Sequence, residues 1–223
     1  MTQIIAIRPR QGLAATIDAG RDMGLPVRGS PLFEIRPRQW KAPEPTHVDA
    51  LLIGSANAIR HGGQQLQRFL GKPVHVVGKT TEKAAKEAGF AIGSVGEGGL
   101  QNVLDAVPAP ARLLRVAGAE HVPLEAPDGV TVETAIAYES VALPLDRALV
   151  EWGERTVILL HSAVAAEHFA AECDRLELDR SHYEIAALGP RIASAAGKGW
   201  GAIHVSESPN DAALLAMVKA LCQ

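Results

Sequence analysis

Aromatic residues make up only 4% of this 223-residue chain. That scarcity argues against the base-stacking surfaces that hold single-stranded nucleic acid. Strong charge of either sign is missing too. The formal net charge of −3 supplies no global field that would favour DNA or RNA. There are two cysteines, Cys173 and Cys222, far apart and without CxxC spacing. This excludes a disulfide framework and a cysteine zinc site as organising elements, and a reduced intracellular setting is the expectation. No apolar run approaches the roughly 18 residues that would span a bilayer. The N-terminal Met1-Thr2-Gln3-Ile4-Ile5-Ala6-Ile7-Arg8 enters a strand directly and lacks the basic-then-apolar order of a secretion signal. The expectation is a soluble, cytoplasmic protein with no nucleic-acid or membrane partner.

What is present is an Ala, Val, Leu and Ile core repertoire, with 47% hydrophobic residues overall, ordinary for a globular chain. It is arranged as a repeat. Strand-like Ala50-Leu51-Leu52-Ile53 runs into Gly54-Ser55-Ala56-Asn57-Ala58 and a helical stretch. Much later Val157-Ile158-Leu159-Leu160 runs into His161-Ser162-Ala163-Val164-Ala165 and another. Each copy continues to an apolar strand ending in Gly78 or Gly189, followed by a new helix. The interval is 23 residues from Ser55 to Gly78 and 27 from Ser162 to Gly189. Two similar α/β domains, with parallel sheets covered by helices, follow from this pattern. Facing domains of this kind make a cleft, and the four strand-to-helix turns can offer backbone N–H groups to anions.

The second copy is one strand short, since nothing after the final helix matches Arg112–Val116. The N-terminal strand Ile4–Arg8 in turn has no domain of its own. Placing that strand beside the C-terminal unit resolves both facts. The chain then reads as a discontinuous domain, 1–35 with 143–223, holding an inserted domain, 36–142. The connections, about 32–36 and 134–140, would run antiparallel. Other expected elements are a helix over Leu13–Met23, a proline-rich linker over Arg36–Pro45, and a helix over Thr80–Ala88 with Thr80 or Thr81 as its N-cap. A long half-exposed strand over Val130–Val141 completes the set.

Residues 1–41 hold Arg8, Arg10, Arg21, Arg28, Arg36, Arg38 and Lys41 against Asp18, Asp22 and Glu34. This is either a solvated basic surface or a surface for an acidic small molecule. Gly78-Lys79-Thr80 ends like a phosphate-binding loop, but Pro73 stands where that motif needs its first glycine. Gly96, Gly98 and Gly99 lack dinucleotide-binding spacing. His161 and His168 have no carboxylate set to complete a metal site, and Ser162 has no His/Asp partners readable in sequence.

Six short motifs in order make the chain resemble uroporphyrinogen-III synthases over nearly its whole length. They are Ile7-Arg8-Pro9, Gly54-Ser55-Ala56-Asn57-Ala58-Ile59, and Val77-Gly78-Lys79-Thr80-Thr81-Glu82-Lys83-Ala84. Ala137-Tyr138-Glu139-Ser140, Leu188-Gly189-Pro190-Arg191-Ile192, and Glu207-Ser208-Pro209 with its following helix complete the series. Threonines that the family carries are missing before Arg8 and within Gly189–Ile192, Gly54 replaces another, and His161-Ser162-Ala163-Val164 departs from the family's Ser-Pro-Ser-Ala.

The resemblance implies two flavodoxin-like domains, the second inserted in the first. It also implies closure of hydroxymethylbilane to uroporphyrinogen III, a lyase reaction with inversion of the last ring through a spiro intermediate, in a monomer without metal or organic cofactor. A transient contact with the preceding enzyme of the pathway is a further implication. The substrate is a flexible polycarboxylate, so holding it in one fold is a large part of the task. Tyr138 takes the role of the acid that helps hydroxide leave, because a phenol carries its proton near neutrality and can donate it. Tyr183 reads as structural. The carboxylate contacts fall to Ser55, Ala56, Lys79, Thr80, Ser162, Ala163, Gly189, Pro190 and Arg191 at the four turns, and to Arg8. A non-catalytic bilobal tetrapyrrole- or anion-binding protein is the competing reading.

Overall fold

The computed structural model describes residues 2–150 and 155–222. In chain order the first elements are β1 (Thr2–Ile7), α1 (Arg10–Asp22), β2 (Val27–Gly29), β3 (Phe33–Pro37), a 3-10 turn at Pro45–His47 and β4 (Ala50–Ile53). Then come α2 (Ala56–His61), α3 (Gly63–Gln67), β5 (Pro73–Val77), α4 (Gly78–Glu87), β6 (Ala91–Gly96), α5 (Leu100–Asp105), β7 (Ala111–Gly118) and β8 (Val130–Ala142). The last are α6 (Arg147–Val150), β9 (Arg155–Leu160), α7 (Ala163–Arg175), a 3-10 turn at Arg180–His182, β10 (Tyr183–Ala187), α8 (Pro190–Ala196), β11 (Ala202–Val205) and α9 (Asp211–Leu221).

The chain divides into two compact units, residues 1–34 with 141–223 and residues 35–140. In the first, the sheet order is β11-β10-β9-β1-β2 with every pair parallel. β1 takes its place because its alternate residues serve two cores at once. Ile5 and Ile7 join Ile158, Leu160, Ile185 and Phe169 on one face. Ile4 and Ala6 join Val157, Leu159, Leu13, Leu214 and Val218 on the other. A strand apolar at successive positions needs a cover on both faces, which a parallel sheet with crossover helices supplies.

In the second unit the sheet order is β3-β8-β7-β4-β5-β6. The run from β8 to β6 is parallel. Leu51, Ile53, Val74, Val76, Leu114 and Val116 bury one face with Leu66 and Phe69. Ala50, Leu52 and Leu113 bury the other with Val103 and Leu104. Numbered by sequence within each unit, the parallel strands lie 2-1-3-4-5 in the first and 3-2-1-4-5 in the second. Starting the first unit at β9 turns its order into that of the second, so the two are circular permutations of one arrangement. The unit boundaries fall inside β3 and β8. These two strands are paired at the sheet edge, and Arg38 N–H to Ala137 O (2.8 Å) and Leu143 N–H to Leu32 O (2.8 Å) run the pair antiparallel.

Several local expectations need correction. Neither Thr80 nor Thr81 caps α4. That helix starts at Gly78 after Val77 and has no side-chain cap, because the backbone turns at Gly78 with φ +74°. Thr80 is exposed in its first turn and Thr81 is buried. α1 begins at Arg10 rather than Leu13, with Pro9 as the flanking residue, since Pro9 pre-sets an extended entry. The stretch after Pro26 contains a short strand, β2, that pairs with β1 through Val27, Arg28 and Gly29. Three residues are too few to show a period, and only the partner strand defines it.

Candidate functional site

Tyr138 reaches its position through a register break. β7 and β8 pair in step from Ala111↔Val130 to Ala117↔Ile136, and the next pair is Gly118↔Tyr138, so Ala137 is an extra residue. An inserted residue of this kind bends the strand and re-aims the following side chain. The Tyr138 ring then lies directly over Gly118. A Cβ on Gly118 would stand 2.6 Å from the ring's Cε2 and 3.1 Å from its hydroxyl oxygen. Only a residue without a side chain admits the ring there.

Tyr138 lines a cavity of about 360 Å³ within the second unit, at the carboxyl ends of β4, β6 and β7. That is the edge at which open parallel sheets bind ligands. Gly54 and Ser55 enter from the end of β4, Gly98 and Gly99 from the loop after β6, Gln101 and Asn102 from α5, and Arg115 and Gly118 from β7. Segment 120–124 closes one side. It is tied down by Arg115 Nη2 donating to Val122 O (2.8 Å) and by Gln101 exchanging hydrogen bonds with the Glu125 backbone (2.8 and 2.9 Å). His61, the last residue of α2, has its ring 6.2 Å from that of Tyr138. Burial lowers the pKa of His61, and the Arg60 charge adds to the effect.

The remaining expected residues of this unit stand at two turns. Ser55 is the N-cap of α2, its hydroxyl accepting from Asn57 N–H at 3.2 Å, and Ala56 behind it is buried. Lys79 and Thr80 stand at the start of α4, Thr80 exposed there. Ser55 and Tyr138 therefore share the cavity, whereas Lys79 and Thr80 do not line it.

The first unit places its expected residues at comparable positions. Ser162 caps α7, accepting from Ala165 N–H at 3.2 Å, with Ala163 following it. Gly189 precedes α8, which opens with Pro190 and the exposed Arg191. Arg8 is not a free cation. Its guanidinium donates to Asp211 (2.9 Å) and to Thr16 Oγ1 (3.0 Å), and Thr16 donates in turn to Asp211 (2.7 Å). Gly12 clears the space for it, since an added Cβ there would collide with the Arg8 guanidinium. His161 Nε2 is 3.2 Å from Asp211 Oδ1. Its pKa is lowered chiefly by burial, then by the Arg8 charge, with Asp211 opposing. The sequence separations from Arg8 to His161 and Asp211 hide this cluster from any local motif.

Three more residues of the first unit are held in its packing. Tyr183 is buried with its ring edge-on to Phe169. His168 bonds Leu143 O at 2.8 Å and packs on Phe33. Burial pushes the Cys173 thiol up to about 12. Among the described residues no group of three potential ligands could hold a metal ion, and no helix is long and apolar enough to cross a membrane. Sequence reasoning missed Arg115, Gly118 and His61. A signal existed for Arg115, a lone charge inside the apolar run Leu113-Leu114-Arg115-Val116. For Gly118 and His61 there was none, because only the fold brings them against the Tyr138 ring.

The family model described as uroporphyrinogen-III synthase HemD matches residues 14–216. Among solved structures, the chain is similar to uroporphyrinogen-III synthetase from Helicobacter pylori 26695, with a TM-score of 0.68 at 17% identity over 99% of this chain and 100% of that one. A mutant uroporphyrinogen III synthase from the extremely thermophilic bacterium Thermus thermophilus is similar at a TM-score of 0.49 and 15% identity, over 99% of each chain. No curated protein matches by sequence.

Proposed function

The chain belongs to the uroporphyrinogen-III synthase family, and from that premise we propose how its residues close hydroxymethylbilane to uroporphyrinogen III. The reaction is a lyase step that expels water from the linear tetrapyrrole. Tyr138 hydrogen-bonds the hydroxyl on the first ring and gives it a proton as the C–O bond breaks, so that water leaves. The ring nitrogen stabilises the resulting cation. The substituted carbon of the last ring attacks it, the spiro intermediate fragments, and the last ring recloses in inverted orientation. Loss of a ring proton restores aromaticity, and that proton makes good the one given by Tyr138, so that water is the sole by-product.

The observation that carries this role is the placement of Tyr138, re-aimed by the inserted Ala137 over Gly118 and lining the cavity with Ser55. At about 360 Å³, near the low end of the ~300–1,000 Å³ usual for small-molecule sites, the cavity would take one part of the substrate.

In this reading both units are flavodoxin-like, the second inserted into the first through β3 and β8. Each offers backbone N–H groups to substrate carboxylates at two turns, Ser55-Ala56 and Lys79-Thr80 in one, Ser162-Ala163 and Gly189 with Arg191 in the other, Pro190 having no N–H to give. The α4 and α7 starts carry the fuller helix dipole, since α2 and α8 have only 6 and 7 residues. Arg8, held by Asp211, orients the β1 end more readily than it binds substrate. The protein acts as a monomer on a dissolved substrate.

Hydroxymethylbilane generated in situ tests the reading. Wild-type protein should speed formation of the III isomer, and folded Tyr138→Phe should turn over about 10²–10⁴ times more slowly. Only the I isomer, at the rate seen without protein, would refute the function. Unchanged turnover in the Phe variant would remove Tyr138 from the chemistry.

A further inference from the structure

Arg115 is a charged residue in the interior of a sheet. It is 6% exposed, and its neighbours on β7 are the core residues Leu113, Leu114 and Val116. Among the described residues no carboxylate pairs with it. Nη2 donates to Val122 O at 2.8 Å, and Nε is buried with no partner. A buried guanidinium without a counter-charge is costly, and proteins keep such a group where something compensates it. Arg115 lines the same cavity as Tyr138. The other polar groups there are Ser55, Gln101, Asn102 and His121, with the exposed Glu120 at the rim. Gly98 and Gly99 line it without side chains of their own.

We infer that Arg115 is the receptor for one carboxylate of the substrate, held in this cavity beside Tyr138. A carboxylate arriving there gains a charge-assisted bond to a guanidinium that is itself buried. It thereby completes the electrostatics that the fold leaves open. The ring bearing that carboxylate is fixed next to the Tyr138 hydroxyl, so Arg115 sets which part of the flexible chain meets the acid. This inference rests on the function proposed above. It adds a binding residue that none of the turn motifs contains.

The test uses Arg115→Gln, which removes the charge but stays polar, and Arg115→Lys, which keeps the charge. The loss of one charge-assisted bond should raise KM for hydroxymethylbilane, and weaken binding of the product uroporphyrinogen III, by about ten- to a hundredfold in the Gln variant. Lys should restore a good part of the affinity. Both variants should keep a cooperative urea transition. If KM and product affinity in folded Arg115→Gln match wild type, the carboxylate site is refuted and the function stands. If wild type binds the product but forms no III isomer, the function falls, and the product titration of the Gln variant still decides on Arg115. Equal losses in Gln and Lys, tracking a lost urea midpoint, would reduce Arg115 to a tie for segment 120–124 and overturn the proposal. Wild type that neither converts the substrate nor binds the product overturns both.

Discussion

Substituting Gly118 by alanine should disable the protein while leaving it folded. The added methyl would sit 2.6, 2.8 and 3.1 Å from Cε2, Cζ and the hydroxyl oxygen of Tyr138. Comfortable carbon contacts lie at about 3.5–4.0 Å, so the ring must withdraw by about 1 Å. Overpacking of this size costs about 1–3 kcal/mol when the neighbours are fixed. Here one side of the ring faces a cavity, so the lower half of that range is expected. Activity should suffer more. Misplacing a reacting group by about 1 Å costs on the order of a hundredfold. The assay is III-isomer formation beside a urea titration, in wild type, Gly118→Ala, Tyr138→Phe and the double variant. Because the methyl acts through the Tyr138 hydroxyl, Gly118→Ala should add little further loss of rate in the Phe background. A folded Gly118→Ala with wild-type turnover would refute the placement of the acid. So would a full hundredfold additional loss in the Phe background, which would mean that the methyl harms something else.

Glu184 accepts from Arg155 and His204, and the Arg155 bond above all holds its carboxyl down at about 2, against an ordinary 4.5. Its contribution is therefore complete above about 4.5 and is lost as pH falls towards 2, so Glu184→Gln should flatten the acid limb of Tm against pH. His161, whose pKa is lowered, has the opposite charge type but the same sign of slope: its burial costs stability as pH falls below its ordinary 6.5. A His161→Gln variant should lose less Tm than wild type between pH 7 and 5.5. Glu172→Ala strands the Leu145 N–H that its carboxylate accepts at 2.7 Å, and should lower unfolding stability by about 1–3 kcal/mol in urea. Of the two thiols, exposed Cys222 should react with a disulfide reagent at pH 8 within minutes, while Cys173, buried with its thiol pushed up to about 12, reacts only as the protein unfolds.

The strand-to-helix turns were legible because they are local. Ala50–Ile53 is apolar at every position, and a serine follows at the spacing that caps a helix, so residues a few places apart determine the element. The return strand over Val130–Ala142 was legible from its alternation of polar and apolar residues. β2 and the true start of α4 were not. The first exists only as a partner of β1, and the second depends on a positive φ at Gly78.

What the sequence determined by itself was therefore most of the inventory: the longer strands, the helices that follow them, and a tyrosine, Tyr138, that belongs to none of the repeated turns. Tertiary structure decided what each charged residue does. Arg8 stands in a motif that marks it as a candidate, and Arg115 stands as a lone charge in an apolar run, yet neither stretch says what its charge meets. Folding gives Arg8 to Asp211, some two hundred residues away, and leaves Arg115 buried on a cavity wall without a carboxylate among the described residues. It also sets Tyr138 over Gly118 through one inserted residue in a ladder. The physical reason is that hydrophobic period and helix capping are short-range properties of a chain, whereas the free energy of a charge depends on whatever distant segments bring beside it.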